Sequence, residues 1–430
     1  MKDNKLTIRT KNRIGQLIMK TTIRIDHGKK LWKKKFYKKF LSCIHKSYFP
    51  VVNYEAYVEL VNKSDYKYYV IKSHRKGMAG LIQYYDDPEI PQKTLEVDLP
   101  DIRLLCFENC YIKGCSDVVV DLKANCVINE ACYNKPPEAE LIDGLLYRSS
   151  DNLCVLRDDF KNIEYVRAGV QMSGKLAHNY YHVIYENLIR ILLLNECNIP
   201  MDVPLLVDEI VFKVPSFKKI FEILFDSVPQ RPVMVLKSEQ MYRFGTLYKF
   251  DSINKLTSHL NKIGKSRPQD FVYDQNYCEL LRYTLQKKQS EETFSKRFFI
   301  TRSKTAGRHC NEDEIVKVLQ PYGFEVVSPQ DYSFEEQMSL FAGAEWIVGS
   351  TGAAMSNLLF CGSNCKIICL GVCKKYYEPC IFNTIAYING CKIWYVAPIN
   401  DNKGHGFHSD FQVDIHAFSH RMKEIIEKES

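Results

Sequence analysis

Several kinds of segment are missing from this 430-residue chain. No apolar run approaches the ~20 residues that cross a bilayer as a helix, and the opening Met1-Lys-Asp-Asn-Lys lacks the apolar centre of a secretory signal. A cytoplasmic protein is therefore expected. There is no Cys-x-x-Cys pair and no zinc-finger spacing, although there are 16 cysteines. Reduced, mostly buried thiols are the expectation. Cys361, Cys365, Cys369 and Cys373 recur at every fourth residue, but Gly362 and the β-like run through Cys369 argue against one helix with a thiol stripe. Internal repeats and low-complexity segments are also missing.

What is present suits an ordinary soluble fold: hydrophobic residues make up 46% and charged residues 26%, and the length allows two full cores. The net charge of +8 is unevenly spread. Between Lys29 and Ile44, seven lysines accompany Trp32, Phe36, Phe40 and Ile44 at four-residue steps. This pattern predicts an amphipathic basic helix able to lie on an anionic membrane surface. A solvated basic face packed on the main body explains the pattern as well. Nucleic acid suits the charge but no recognition motif accompanies it, so no nucleic-acid partner is expected.

Four regions are expected: a basic leader at 1–50, a β-rich portion opening an N-terminal domain at 51–265, a C-terminal domain at 266–398, and a loop and helix at 399–430. From Phe298 to Leu370, short apolar runs alternate with helical runs, the mark of a parallel sheet wrapped by helices. Asn311 followed by three acids reads as a helix cap, and Ser333-Phe-Glu-Glu336 as a capping box. The last helix, His416 to Lys428, needs a surface for Phe418, Met422, Ile425 and Ile426, for which the N-terminal domain is a candidate.

Three places can carry chemistry. The turn Gly349-Ser350-Thr351-Gly352, running into Ala353, joins a strand to a helix, so its N–H groups suit an anion, although a structural turn has the same composition. Arg302 and Arg308 flank a short loop at a strand end, where two guanidiniums suit a diphosphate. Read as one helix, the segment around Asn179 to Arg190 has an apolar face (Tyr181, Ile184, Tyr185, Leu188, Ile191, Leu192) bordered by His178, His182, Glu186 and Arg190. His182 and Glu186 can then serve as general base and partner, as zinc ligands with His178, or as a surface ion pair.

Taken together, these segments resemble glycosyltransferase family 61, in its bacterial form. The motifs are Asn179-Tyr-Tyr-His182 with Glu186; Arg302, Arg308, Asn311 and Glu312; and Gly349, Gly352-Ala353, Asn357 and Phe360. The resemblance implies an α/β, GT-B-like fold of two Rossmann-like domains facing a cleft. It also implies inverting transfer from a UDP-sugar to a glycan acceptor, lipid-linked in some settings, in surface or capsular polysaccharide assembly, without an essential metal. Under it, Glu186 or His182 is the base, and Arg302, Arg308, Asn311, Glu312, Ser350, Thr351, Gly352 and Ala353 serve the donor. Thr351 stands where many members have His. A silent sugar-nucleotide or glycan-binding protein on the same fold is the alternative.

Overall fold

The computed structural model describes residues 68–82, 93–129, 162–238, 240–256, 268–288, 290–304, 307–372, 380–399 and 409–429, together with short strands at 48–49, 51–53, 146–150 and 153–156. The expected helix at Lys29–Ile44 and Cys373 lie outside them. The described part is mixed α/β, with two principal sheets.

The first sheet has nine strands. Its parallel section consists of β2 (Glu164–Gln171), β3 (Leu205–Asp208), β4 (Val233–Leu236) and β5 (Met241–Phe250), in the spatial order β4-β3-β2-β5. The long strand β1 (Ile102–Lys113) then pairs antiparallel with β5 and leads to the remaining short strands. The chain therefore steps outward from β2 through β3 to β4 and returns to the other side of β2 with β5. This leaves a topological switch point between β2 and β5, the place where open α/β sheets bind ligands. Helix α1 (Pro215–Asp226) connects β3 to β4; Pro215 sits in its first turn, where a missing N–H costs nothing.

The second sheet is wholly parallel. Its strands are β6 (Arg297–Ile300), β7 (Glu325–Val327), β8 (Trp346–Ser350), β9 (Lys366–Leu370) and β10 (Lys392–Val396), in the order β7-β6-β8-β9-β10. Its switch point falls between β6 and β8. Helices α2 (Gln275–Gln286), α3 (Glu312–Leu319), α4 (Phe334–Ala342) and α5 (Cys380–Ile388) accompany it.

One apolar core joins the two sheets, running from Ile102 and Val170 through the buried segment 183–194 to Phe298, Leu358 and Tyr395. Polar ties reinforce it: Arg75 and Asp274 form a buried ion pair at 2.9 Å, and the Gly80 N–H donates to Thr384 Oγ1 at 2.8 Å. Residues well before 265 thus pack on elements well after it.

Three local expectations change. Helix α6 (Ile415–Glu429) does not cross to the first sheet. Phe418, Met422, Ile425 and Ile426 bury against Ile315, Leu319 and Trp394 of the second, each burial worth roughly 1.5–3 kcal/mol. Asn311 holds the N-cap position of α3 without capping it, because its side chain is drawn to Glu314 and Val413. The helix after Gly352 is a 3-10 helix, Ala353–Phe360. The capping box at Ser333 and Glu336 is present in both directions. The described cysteines are free thiols and mostly buried, Cys361, Cys365 and Cys369 among them.

Candidate active site

The second sheet delivers its polar residues at one switch point: Arg302 and Arg308 follow β6, and Ser350 to Ala353 close β8 and the turn after it. The loop after β6 is held from behind by Glu312, whose carboxylate accepts from Thr301 Oγ1 at 2.5 Å and from the Arg302 N–H at 2.9 Å. Arg302 Nε then donates to the Gly307 carbonyl at 3.0 Å. Arg308 adopts a left-handed backbone, φ 58°, and its Nη1 donates to the Thr351 carbonyl at 2.8 Å. Loop and turn are thereby locked together. Burial lowers the Arg302 pKa, against the pull of Glu312; an arginine stays protonated at neutral pH regardless.

Gly352 is fixed by that arginine. A Cβ at this position would stand 2.5 Å from Arg302 Nη1. The backbone at Gly352 is extended, so the requirement comes from close approach and not from chirality. Thr351 is buried, and its hydroxyl has no hydrogen-bond partner among the described residues. It contributes to the loop through its carbonyl.

On the first sheet's side, the segment after Asn179 is helical throughout but not regular. One α turn, Tyr180–His182, passes into a π-helical stretch, Val183–Asn187, and then a 3-10 helix, Leu188–Glu196. Asn179 caps it, its Oδ1 accepting from the Tyr181 N–H at 3.0 Å. The expected apolar face is buried in full. The expected polar border is not continuous: His178 is exposed, whereas Arg190 is buried and donates to the Ser173 carbonyl at 3.0 Å, with Asp117 3.6 Å away. The middle pair does form. His182 Nδ1 lies 2.7 Å from Glu186 Oε1, with side chains only 12% and 10% exposed. Burial pushes the Glu186 carboxyl up, but the charge and hydrogen bond of His182, with Lys175 beyond, outweigh it and hold the pKa below 4.5. Among the described residues, no group of three or more His, Cys, Asp or Glu is arranged to hold a metal ion.

Between these parts lies a cleft of about 900 Å³, within the range of small-molecule sites. Arg302, Arg308, Ser350 and Ala353 line one wall; Tyr180, Phe217 and Lys219 line the other. Lys219 and Glu335 meet across it at 2.6 Å. Glu312 braces the arginine loop from outside the lining, Asn311 lies outside the lining and bonds Glu314 and Val413, and Thr351 and Gly352 sit behind the lining. His182 and Glu186 are not in the lining either; they follow Tyr180 by two and six residues on the same helix. The α1 wall was not among the residues singled out from sequence. From sequence it reads as a helix around Phe217 to Phe225, with no motif that marks a site.

No curated protein matches this chain. Residues 180–368 match the family model Glycosyltransferase 61. The matched span runs from the cleft residue Tyr180 through the His182–Glu186 pair and the arginine loop to the strand beyond the Gly352 turn, and it supports placing this part of the chain among the family 61 glycosyltransferases.

Proposed function

We propose that the protein is an inverting glycosyltransferase that moves a sugar from a UDP-sugar to a glycan acceptor, on a GT-B-like pair of sheets facing the cleft. The observation that carries this reading is the convergence of Arg302, Arg308 and the Ser350–Ala353 turn on one switch point, opening into a cleft whose far wall carries the His182 helix.

In this reading the arginines and turn N–H groups take up the diphosphate. As the bond between the anomeric carbon and the diphosphate oxygen breaks, they absorb the charge that collects on the leaving UDP. The acceptor hydroxyl attacks from the opposite face and gives its proton to a base. Glu186 is a poor choice for that role, since its pKa is held low and it is engaged by His182. The pair works better the other way round. With the neutral imidazole of His182 donating Nδ1–H to Glu186, the lone pair is on Nε2, which can take the proton. Glu312 holds the arginine loop in shape, and Asn311 ties the start of the following helix to Val413.

Surface-polysaccharide assembly at the inner membrane face belongs to the same proposal, through the Lys29–Ile44 segment. Flotation with anionic liposomes that does not depend on that segment would contradict that part. The transfer reading is tested by incubating the protein with UDP-N-acetylglucosamine, UDP-xylose and non-uridine analogues, with and without EDTA, and measuring UDP release and the anomeric configuration of the product. Uridine-selective release with inversion is expected. Binding without release would favour a silent sugar-nucleotide binder.

A further inference from the structure

Two hydroxyls tie the His182 helix to the donor side. Tyr180 Oη donates to Asn357 Oδ1 at 2.6 Å, Asn357 Nδ2 donates to Gln337 Oε1 at 2.9 Å, and Gln337 Nε2 donates to the Tyr332 carbonyl at 3.1 Å. Beside this chain, Tyr185 Oη donates to the Ser356 carbonyl at 2.8 Å. Asn357 is fully buried, and Gln337 nearly so.

The two tyrosines lie on either side of the change from the α turn to the π stretch. Tyr180 and Tyr185 are five residues apart, which on a regular α-helix separates them by about 140° around the axis. The π stretch that begins at Val183 is closed by the Leu188 N–H on the Val183 carbonyl, and both hydroxyls reach the same neighbouring helix, at Asn357 and Ser356. Glu186 is carried on that stretch, and His182 is the residue just before it. At the other end, Asn357 lies one turn along the 3-10 helix that begins at Ala353, directly after the turn that Arg308 grips.

We propose that Tyr180 and Asn357 are positioning residues, a register pin that sets the distance between the His182–Glu186 pair and the Ser350–Ala353 turn. The inference rests on reading the cleft as the donor site. Neither residue needs to touch the reacting atoms. The pin matters because transfer between two bound molecules is steeply sensitive to spacing, an ångström of misplacement costing roughly 100-fold. A buried amide whose oxygen is engaged by a phenol and whose nitrogen is engaged by another amide has no alternative arrangement of equal energy, so it holds one spacing.

The test uses Tyr180→Phe, which keeps the ring stacked on Phe217 and removes only the hydroxyl, together with Asn357→Ala and the double variant. Each single change should lower kcat by about 10- to 100-fold while leaving UDP affinity unchanged. The double variant should be no worse than the poorer single one, because the two residues act as a unit. Losses that multiply, or that appear only in KM, overturn the pin. Hydrogen exchange of the unliganded protein decides it without any donor. Amides of 180–187 should exchange about tenfold faster in both variants, as when a local opening loses roughly 1.4 kcal/mol, with α1 unchanged. Unchanged exchange at 180–187 overturns the pin. Failure of the unmodified protein to transfer any sugar strikes the donor reading, and the exchange result still decides the pin.

Discussion

The guanidinium of Arg302 occupies the space that a side chain on residue 352 would need, with Nη1 2.5 Å from the Cβ position. Gly352→Ala therefore cannot be accommodated unless the arginine moves. An arginine end is flexible, so the fold should tolerate the change, with Tm nearly unaltered. The displaced guanidinium loses its aim into the cleft, and UDP affinity should fall about tenfold or more, as for one charge-assisted hydrogen bond worth roughly 1.5–3 kcal/mol. Calorimetric titration checks this; unchanged affinity in Gly352→Ala would show that the arginine's position is immaterial.

The His182–Glu186 pair predicts two losses of different size. His182→Gln removes the proposed base and should lower kcat by about 10²–10⁴. Glu186→Gln leaves the imidazole in place but unsettles its tautomer, so a smaller loss is expected. UDP binding should survive both. If Glu186→Gln were the more damaging of the two, the roles would have to be exchanged.

The same pair contributes to stability in acid. Glu186 has a folded pKa below its ordinary 4.5. Its contribution is therefore complete above that value and is lost as pH falls through the lower folded value. Glu186→Gln should show a shallower loss of Tm below pH 4.5 than the unmodified protein.

Asp208 behaves in the opposite sense. Burial raises its pKa to about 7, although the N–H groups of Cys115 and Gly174 pull it down. The folded state then holds a proton that the unfolded chain, at 3.8, has released. Stability from this group falls as pH rises from about 4 to about 7 and levels off above. Comparing Tm between pH 5 and 8, Asp208→Asn should remove that part of the slope. An identical slope in both proteins would place Asp208 in its ionised form across the range.

Much of this was legible in the sequence, for local reasons. The apolar runs that became β6, β8 and β9 are short and bounded by polar turns, and Ser333 and Glu336 sit at the spacing a reciprocal cap requires. Arg302, Arg308 and the Gly352 turn were legible because loops at strand ends carry little packing constraint. The π turn at 183–187 was not, since sliding each hydrogen bond by one residue leaves the apolar pattern unchanged. Arg190 reads as part of a polar border because its partners, Ser173 and Asp117, come from other parts of the chain. Asn311 read as a cap because cap composition does not reveal competing partners, and Val413 is one. The α1 wall, with Phe217 and Lys219, reads as an ordinary amphipathic helix until the second sheet is placed opposite it.

The most direct test of the account is a calorimetric titration of UDP into the unmodified protein and into Arg302→Ala and Arg308→Ala, at one ionic strength, with EDTA present. The account predicts saturable binding to the unmodified protein and affinity about 10- to 100-fold weaker in each variant, the range for losing hydrogen bonds to a charged group. Equal affinity in all three proteins, or no UDP binding by any of them, would contradict the assignment of this switch point to the donor diphosphate.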